Sequence, residues 1–201
     1  ESPDQEVRKF RKRLLALGAG QWPNSSPIVE LFCGRGNGLR VLEGLGFTNL
    51  TGVDLSERLL EQFEGNATLY VADVRSLPFA DDSFDTVIVQ GGLHHLSEIP
   101  GDLSRVLGES HRILREGGRF VAVEPWKTPF LRLVHSACRI TTLRAFWPRL
   151  NALATMIERE QVTYNHWLES HDTILRTLDG VFARERRSIG WGKLSYVGRK
   201  Q

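Results

Sequence analysis

A short apolar run, an acid and three closely spaced glycines stand together in VELFCGRGNG, Val29 to Gly38. Glycine tolerates left-handed turns and lets a ligand touch backbone. After a strand, such a loop suits a dinucleotide, another nucleoside or merely a tight turn. Asp54 ends the run LTGVD, roughly 20 residues on, where an acid can accept from both hydroxyls of a ribose. An acid just before a helix is also favoured by the helix dipole alone. Asp73 ends a third apolar run. Its carboxylate can accept from an exocyclic adenine amine, and the Val74 N–H can donate to a ring nitrogen. The dinucleotide fingerprint G-x-G-x-x-G is not met, because from Gly34 the order is G-R-G-N-G-L, with Leu39 at the third glycine's place. That counts against a nicotinamide cofactor.

The elements that must hold these residues follow from periodicity. Val7, Phe10, Leu14 and Leu17 recur at helical spacing, so residues 6–17 read as an amphipathic helix. Arg8, Lys9, Arg11, Lys12 and Arg13 lie largely off that stripe, on a face expected to be solvated. Strands are expected over 28–32, 50–53, 69–72 and 84–89, with a fifth, RFVAVE, after Gly117-Gly118. Helices are expected over 39–45, 57–63 with Ser56 as N-cap, and 102–114. Alternating strands and helices predict a parallel sheet covered on both faces. After Pro125 the pattern turns helical over 129–178, with Thr128-Pro129 as cap and first position and Pro148 as a break. Two final strands flank Gly190–Gly192. The predicted fold is α/β: a Rossmann-like, doubly wound seven-stranded sheet, mostly parallel, with an antiparallel C-terminal hairpin and a helical insertion after strand 5. One domain is expected: 1–26 helix and linker, 27–125 core, 126–180 insertion, 181–201 hairpin.

Composition bounds the partners. The chain has 201 residues and a net charge of +2, so no strong whole-molecule field points to nucleic acid. Cys33 and Cys138 are too few for a disulfide framework or a zinc site, so no metal is expected, and a reducing cytoplasm is the simplest compartment. No apolar run is long enough to span a bilayer, and the N-terminus lacks a secretory stretch. The chain begins at Glu1 without methionine, as a trimmed chain would.

VELFCGRGNG, GVDLSERLL, ADVRSLPFADDSFDTVIVQGGLHHL and LGESHRILREGGRFVAVEP occur in that order. With them the chain resembles the class I S-adenosylmethionine-dependent methyltransferases of the small-molecule, quinone and lipid type, over roughly residues 27–125. The resemblance implies S-adenosylmethionine as methyl donor and S-adenosylhomocysteine as product. It places Glu30 at the methionyl end, Gly34 and Gly36 against the cofactor, Asp54 on the ribose and Leu55 beside the adenine. Asp73 and Val74 would hold the adenine edge, and the Gln90 carbonyl would lie near the methionine amino group. Asn37 and Arg35 could reach the cofactor carboxylate. Phe32 departs from the family, which has glycine there. A bulky residue disfavours positive φ, so an extended backbone is expected at Phe32, its ring beside the cofactor.

Transfer of an activated methyl needs a base only if the acceptor must lose a proton. His94, His95, His135, His166, His171 and Glu124 are the candidates. His95 and Glu124, at the mouth of the predicted sheet, are taken as catalytic, and His94 as structural. Tyr164, His166, Trp167 and His171 in TYNHWLESHD suit a pocket for a small-molecule acceptor. Three alternatives stand beside the enzyme: a non-catalytic donor-binding partner module, a nicotinamide-dependent oxidoreductase, and an RNA methyltransferase using Arg184, Arg186, Arg187, Lys193, Arg199 and Lys200.

Overall fold

The protein is described by a computed structural model covering residues 3–159 and 161–201. A first helix, α1 (Pro3–Ala16), leads through a short 3-10 turn to the sheet. Then come β1 (Ile28–Leu31), α2 (Asn37–Gly44), β2 (Leu50–Asp54), α3 (Glu57–Leu60), β3 (Thr68–Val71) and β4 (Phe84–Gln90). A 3-10 turn at Leu93–His95 precedes α4 (Gly101–Ile113) and β5 (Leu114–Pro125). The insertion is α5 (Pro129–Cys138), α6 (Thr141–Phe146), α7 (Pro148–Arg159), α8 (Gln161–Glu169) and α9 (His171–Val181). The hairpin is β6 (Ala183–Gly190) and β7 (Lys193–Arg199).

The seven strands form one sheet in the order β3-β2-β1-β4-β5-β7-β6. The first five run parallel, and β7 and β6 are antiparallel additions beyond β5. This is the predicted architecture. β1 and β4 are neighbours although four elements, α2, β2, α3 and β3, separate them in sequence. The winding therefore reverses between them, and a crevice opens at their carboxyl ends. Glu30 on β1 lies beside Ile88 of β4, two residues before Gln90.

The central strands carry apolar residues on both faces because helices cover both. One apolar cluster joins Val29, Val87, Val89 and Phe120 to α4, α9 and the insertion. The other joins Ile28, Ile88 and Val121 to α1 and α2 through Leu14, Leu39 and Leu42. Thr128 caps α5 as expected, its hydroxyl accepting from the Leu131 amide at 3.1 Å, and Pro148 opens α7. Two expectations need trimming. The helix expected over 57–63 ends at Leu60, and Ser56 stands at its N-cap without a side-chain bond. The fifth strand starts at Leu114 and takes in the Gly117-Gly118 pair.

Candidate active site

The loop after β1 begins with an exception. Phe32 has φ 55, in the left-handed region, so the expected extended backbone is wrong. The chain turns sharply there while the next amide, Cys33 N, still bonds to Val53 O of β2 at 3.1 Å. The cost of that conformation, about 1–2 kcal/mol for a residue with a Cβ, is offset by packing. The half-buried ring joins the main core cluster and lies against the bare Cα of Gly92, where any side chain would collide with it. Gly34 (φ 54) and Gly36 (φ 71) continue the turn. A methyl on Gly34 would meet nothing within 4 Å, so glycine is favoured there by its dihedrals alone, and its outer side is open to a ligand. Gly36 is covered by the Phe63 ring.

Asp54, at the end of β2, accepts from the Gly34 amide at 2.8 Å and from the Ser56 amide at 2.9 Å. It thus ties the glycine loop to the start of α3. Glu30 is almost fully buried under α2, and a methyl at Gly38 would collide with its carboxylate. Its Oε1 accepts from Gln90 Nε2 at 3.0 Å, while Oε2 has no partner among the described residues. Burial pushes the Glu30 carboxyl up to about 7, with the bond from Gln90, the neighbouring Leu39 amide dipole and the charge of Arg13 opposing it. Arg13 Nη1 in turn approaches Gln90 Oε1 at 3.4 Å. Sequence reading left Arg13 on a solvated face, and no local signal could have shown that α1 reaches the crevice.

Asp73 lies beyond β3. Its oxygens are shared with Arg75, whose Nε and Nη2 donate at 3.0 and 2.7 Å. Those bonds hold the Asp73 carboxyl below its usual range. Arg75 also reaches the buried Asp102 at the start of α4, at 3.1 Å. Neither Arg75 nor Asp102 was singled out from the sequence. Val74 is buried; Leu55, Arg35 and His95 are exposed; Asn37 is the half-buried first residue of α2.

At the end of β5, Glu124 is buried. Its Oε1 accepts from the Gly92 and Leu93 amides, both at 2.9 Å, and its Oε2 lies 2.8 Å from His94 Nδ1. The His94 ring lies 4.2 Å from that of His95, tilted by 39°, and meets Tyr164 edge-on. The group expected in TYNHWLESHD does not converge as one wall. Tyr164 and Trp167 point into the core, Trp167 donating to Pro125 O at 2.8 Å, while His166 and His171 are exposed. Helical spacing explains this, since 164, 167 and 168 share one face and 166 the opposite one. Two cavities, of about 360 and 130 Å³, instead open within the insertion, both bordered by His135 and Asn165.

A doubly wound sheet with a glycine loop after β1, acids at the ends of β2 and β3, and an antiparallel β7 beside β5 defines a class I methyltransferase fold. Residues 29–122 match the family model described as a methyltransferase domain. That match takes in just under half of the 201 residues, from β1 into β5. The chain is 29% identical over 167 residues to a demethylmenaquinone methyltransferase of Symbiobacterium thermophilum, covering 67% of this chain and 64% of that one. It is 27% identical over 208 residues to one from Tropheryma whipplei, covering 96% and 77%. The chain thus spans just under two thirds of the Symbiobacterium relative. A crystal structure of a Pyrococcus horikoshii protein shares the fold, with a TM-score of 0.70 at 22% identity over 98% of this chain and 92% of that one.

Proposed function

We propose that this protein transfers a methyl group from S-adenosylmethionine to a small-molecule acceptor. The observation that carries it is the buried Glu30 oxygen without a partner, beside a glycine loop whose outer face is open. A buried acceptor left unsatisfied is costly unless something donates to it. A cationic amino-acid end at the β1–β4 crevice would do so. Asp54 is then placed for the ribose, its two oxygens already oriented by backbone amides. Leu55 offers an apolar face to the adenine. Asp73 and Val74 meet the adenine edge, with Arg75 holding the Asp73 carboxylate in place. Phe32, Gly34, Asn37 and the Gln90 carbonyl line the remainder, with Gly36 turning the loop beneath the Phe63 ring.

The donor supplies an activated methyl on a sulfonium. The protein's share is orientation and exclusion of water, which can be worth ~7–11 kcal/mol when reactants are well aligned. Glu124 acts by holding the 92–95 turn and the His94 ring, so it is a positioning residue. His95, exposed beside the His94 ring, is the group that would take a proton from an acceptor that must lose one. The relatives' names point to quinone-like acceptors.

The test is calorimetric titration with S-adenosylmethionine and S-adenosylhomocysteine, with NAD as control. Saturable binding of the first two alone is expected; binding of NAD alone, or of none, overturns the proposal. His95→Ala should lower turnover by ~10²–10⁴-fold, the range of a lost base, and leave donor affinity unchanged. Turnover equal to wild type would remove His95 from the chemistry.

A further inference from the structure

From Pro125 to Ile157 the chain carries five cations, Lys127, Arg132, Arg139, Arg144 and Arg149, and no acid. Arg144 is paired with Glu158, but no carboxylate is ion-paired with the other four among the described residues. The same stretch exposes large apolar side chains. Phe146 is 89% exposed, Leu133 69% and Trp147 60%, with Ile140 and Leu143 beside them in the chain. At the hairpin tip Trp191, 81% exposed, meets the Phe130 ring edge-on at 5.2 Å, so β6–β7 extends the α5 patch. An exposed cluster of this kind marks an interaction surface.

We infer that the α5–α6 face and the Trp191 tip dock on the surface of an anionic phospholipid bilayer. An ordinary protein interface carries charges of both signs in balance, whereas here five cations stand against Glu158 and Glu169 at the edges of the face. Its complement is a uniformly negative surface, and tryptophan and phenylalanine beside arginine suit the headgroup boundary. The helices need not span the bilayer, and no described helix is long and apolar enough to do so. The cavity of about 360 Å³ lined by His135, Cys138 and Ile157 shares Arg139 and Arg144 with this stretch. A lipid-soluble methyl acceptor would thus have a short path from membrane to protein, a consequence that rests on the methyltransferase reading; the docking itself does not.

The experiment is co-sedimentation of the full chain, without donor, with vesicles of phosphatidylglycerol and phosphatidylcholine in equal parts, and with phosphatidylcholine alone. Binding to the anionic vesicles only is expected, with a blue shift of tryptophan emission. Salt should weaken it, each cation at the surface being worth roughly a fivefold change in partition. The variant Phe146→Ser with Trp147→Ser should partition roughly tenfold less, while its donor titration stays as in wild type. Equal binding to both vesicles, no binding to either, or a double variant that binds like wild type would overturn the inference. Light scattering that shows a dimer lost in the double variant, without vesicle binding, would instead assign the face to a second copy of the chain.

Discussion

Glu30 and Phe32 show how individual residues depart from their usual behaviour for a reason. A carboxyl raised from 4.5 to about 7 stays protonated in the folded chain while the unfolded chain ionises. Its contribution is therefore complete below pH 4.5 and is lost as pH rises to about 7, a change of about 3 kcal/mol. Urea unfolding across that range should show the loss in wild type and a smaller one in Glu30→Gln. Donor binding should have the opposite trend. A cation beside Glu30 favours its ionised form, so affinity should rise with pH up to about 7, with proton release visible as a buffer-dependent heat. Phe32 separates strain from packing. Phe32→Ala keeps the left-handed cost and loses the ring, whereas Phe32→Gly loses both. The glycine variant should be about 1–2 kcal/mol more stable than the alanine variant, and equal midpoints in denaturant would contradict the strained turn.

Single elements matter here mainly through what their ends touch. α2 begins directly over the Glu30 carboxylate, and only a bare Cα at Gly38 allows that approach. Gly38→Ala should lift the start of α2, costing about 1–3 kcal/mol of stability as an overpacked site does. It should also weaken donor binding, and unchanged binding would mean that α2 does not frame the site. Strand runs such as FDTVIV and the Thr128-Pro129 helix start were legible because period, caps and prolines are local. The 57–63 helix was overextended since its apolar spacing continues past Leu60, where Phe63 turns to cover Gly36. The preference of a bulky residue for negative φ lost at Phe32 because the ring found a partner in Gly92, distant in sequence.

For the whole molecule, the insertion joins the sheet through the main apolar cluster, and Trp167 is the largest fully buried side chain in it. Fully buried, it bonds to the carbonyl of Pro125 at the end of β5 and meets Trp126 edge-on at 6.3 Å. Trp167→Ala should cost about 3–5 kcal/mol, read as a lower denaturant midpoint. A loss under about 1 kcal/mol, the scale of a surface change, would show that the insertion docks by other contacts. The sequence by itself determined the sheet, its hairpin, the glycine loop and the acids at the ends of β1, β2 and β3, because those signals lie in periods of two and 3.6 and in short ordered motifs. Only the tertiary structure decided what surrounds each group. It brought Arg13 to Gln90, committed Asp73 to Arg75, closed Glu124 around the 92–95 turn and left one Glu30 oxygen without a partner among the described residues. Those outcomes depend on distances between residues far apart in the chain, which set burial and charge and which no local pattern encodes.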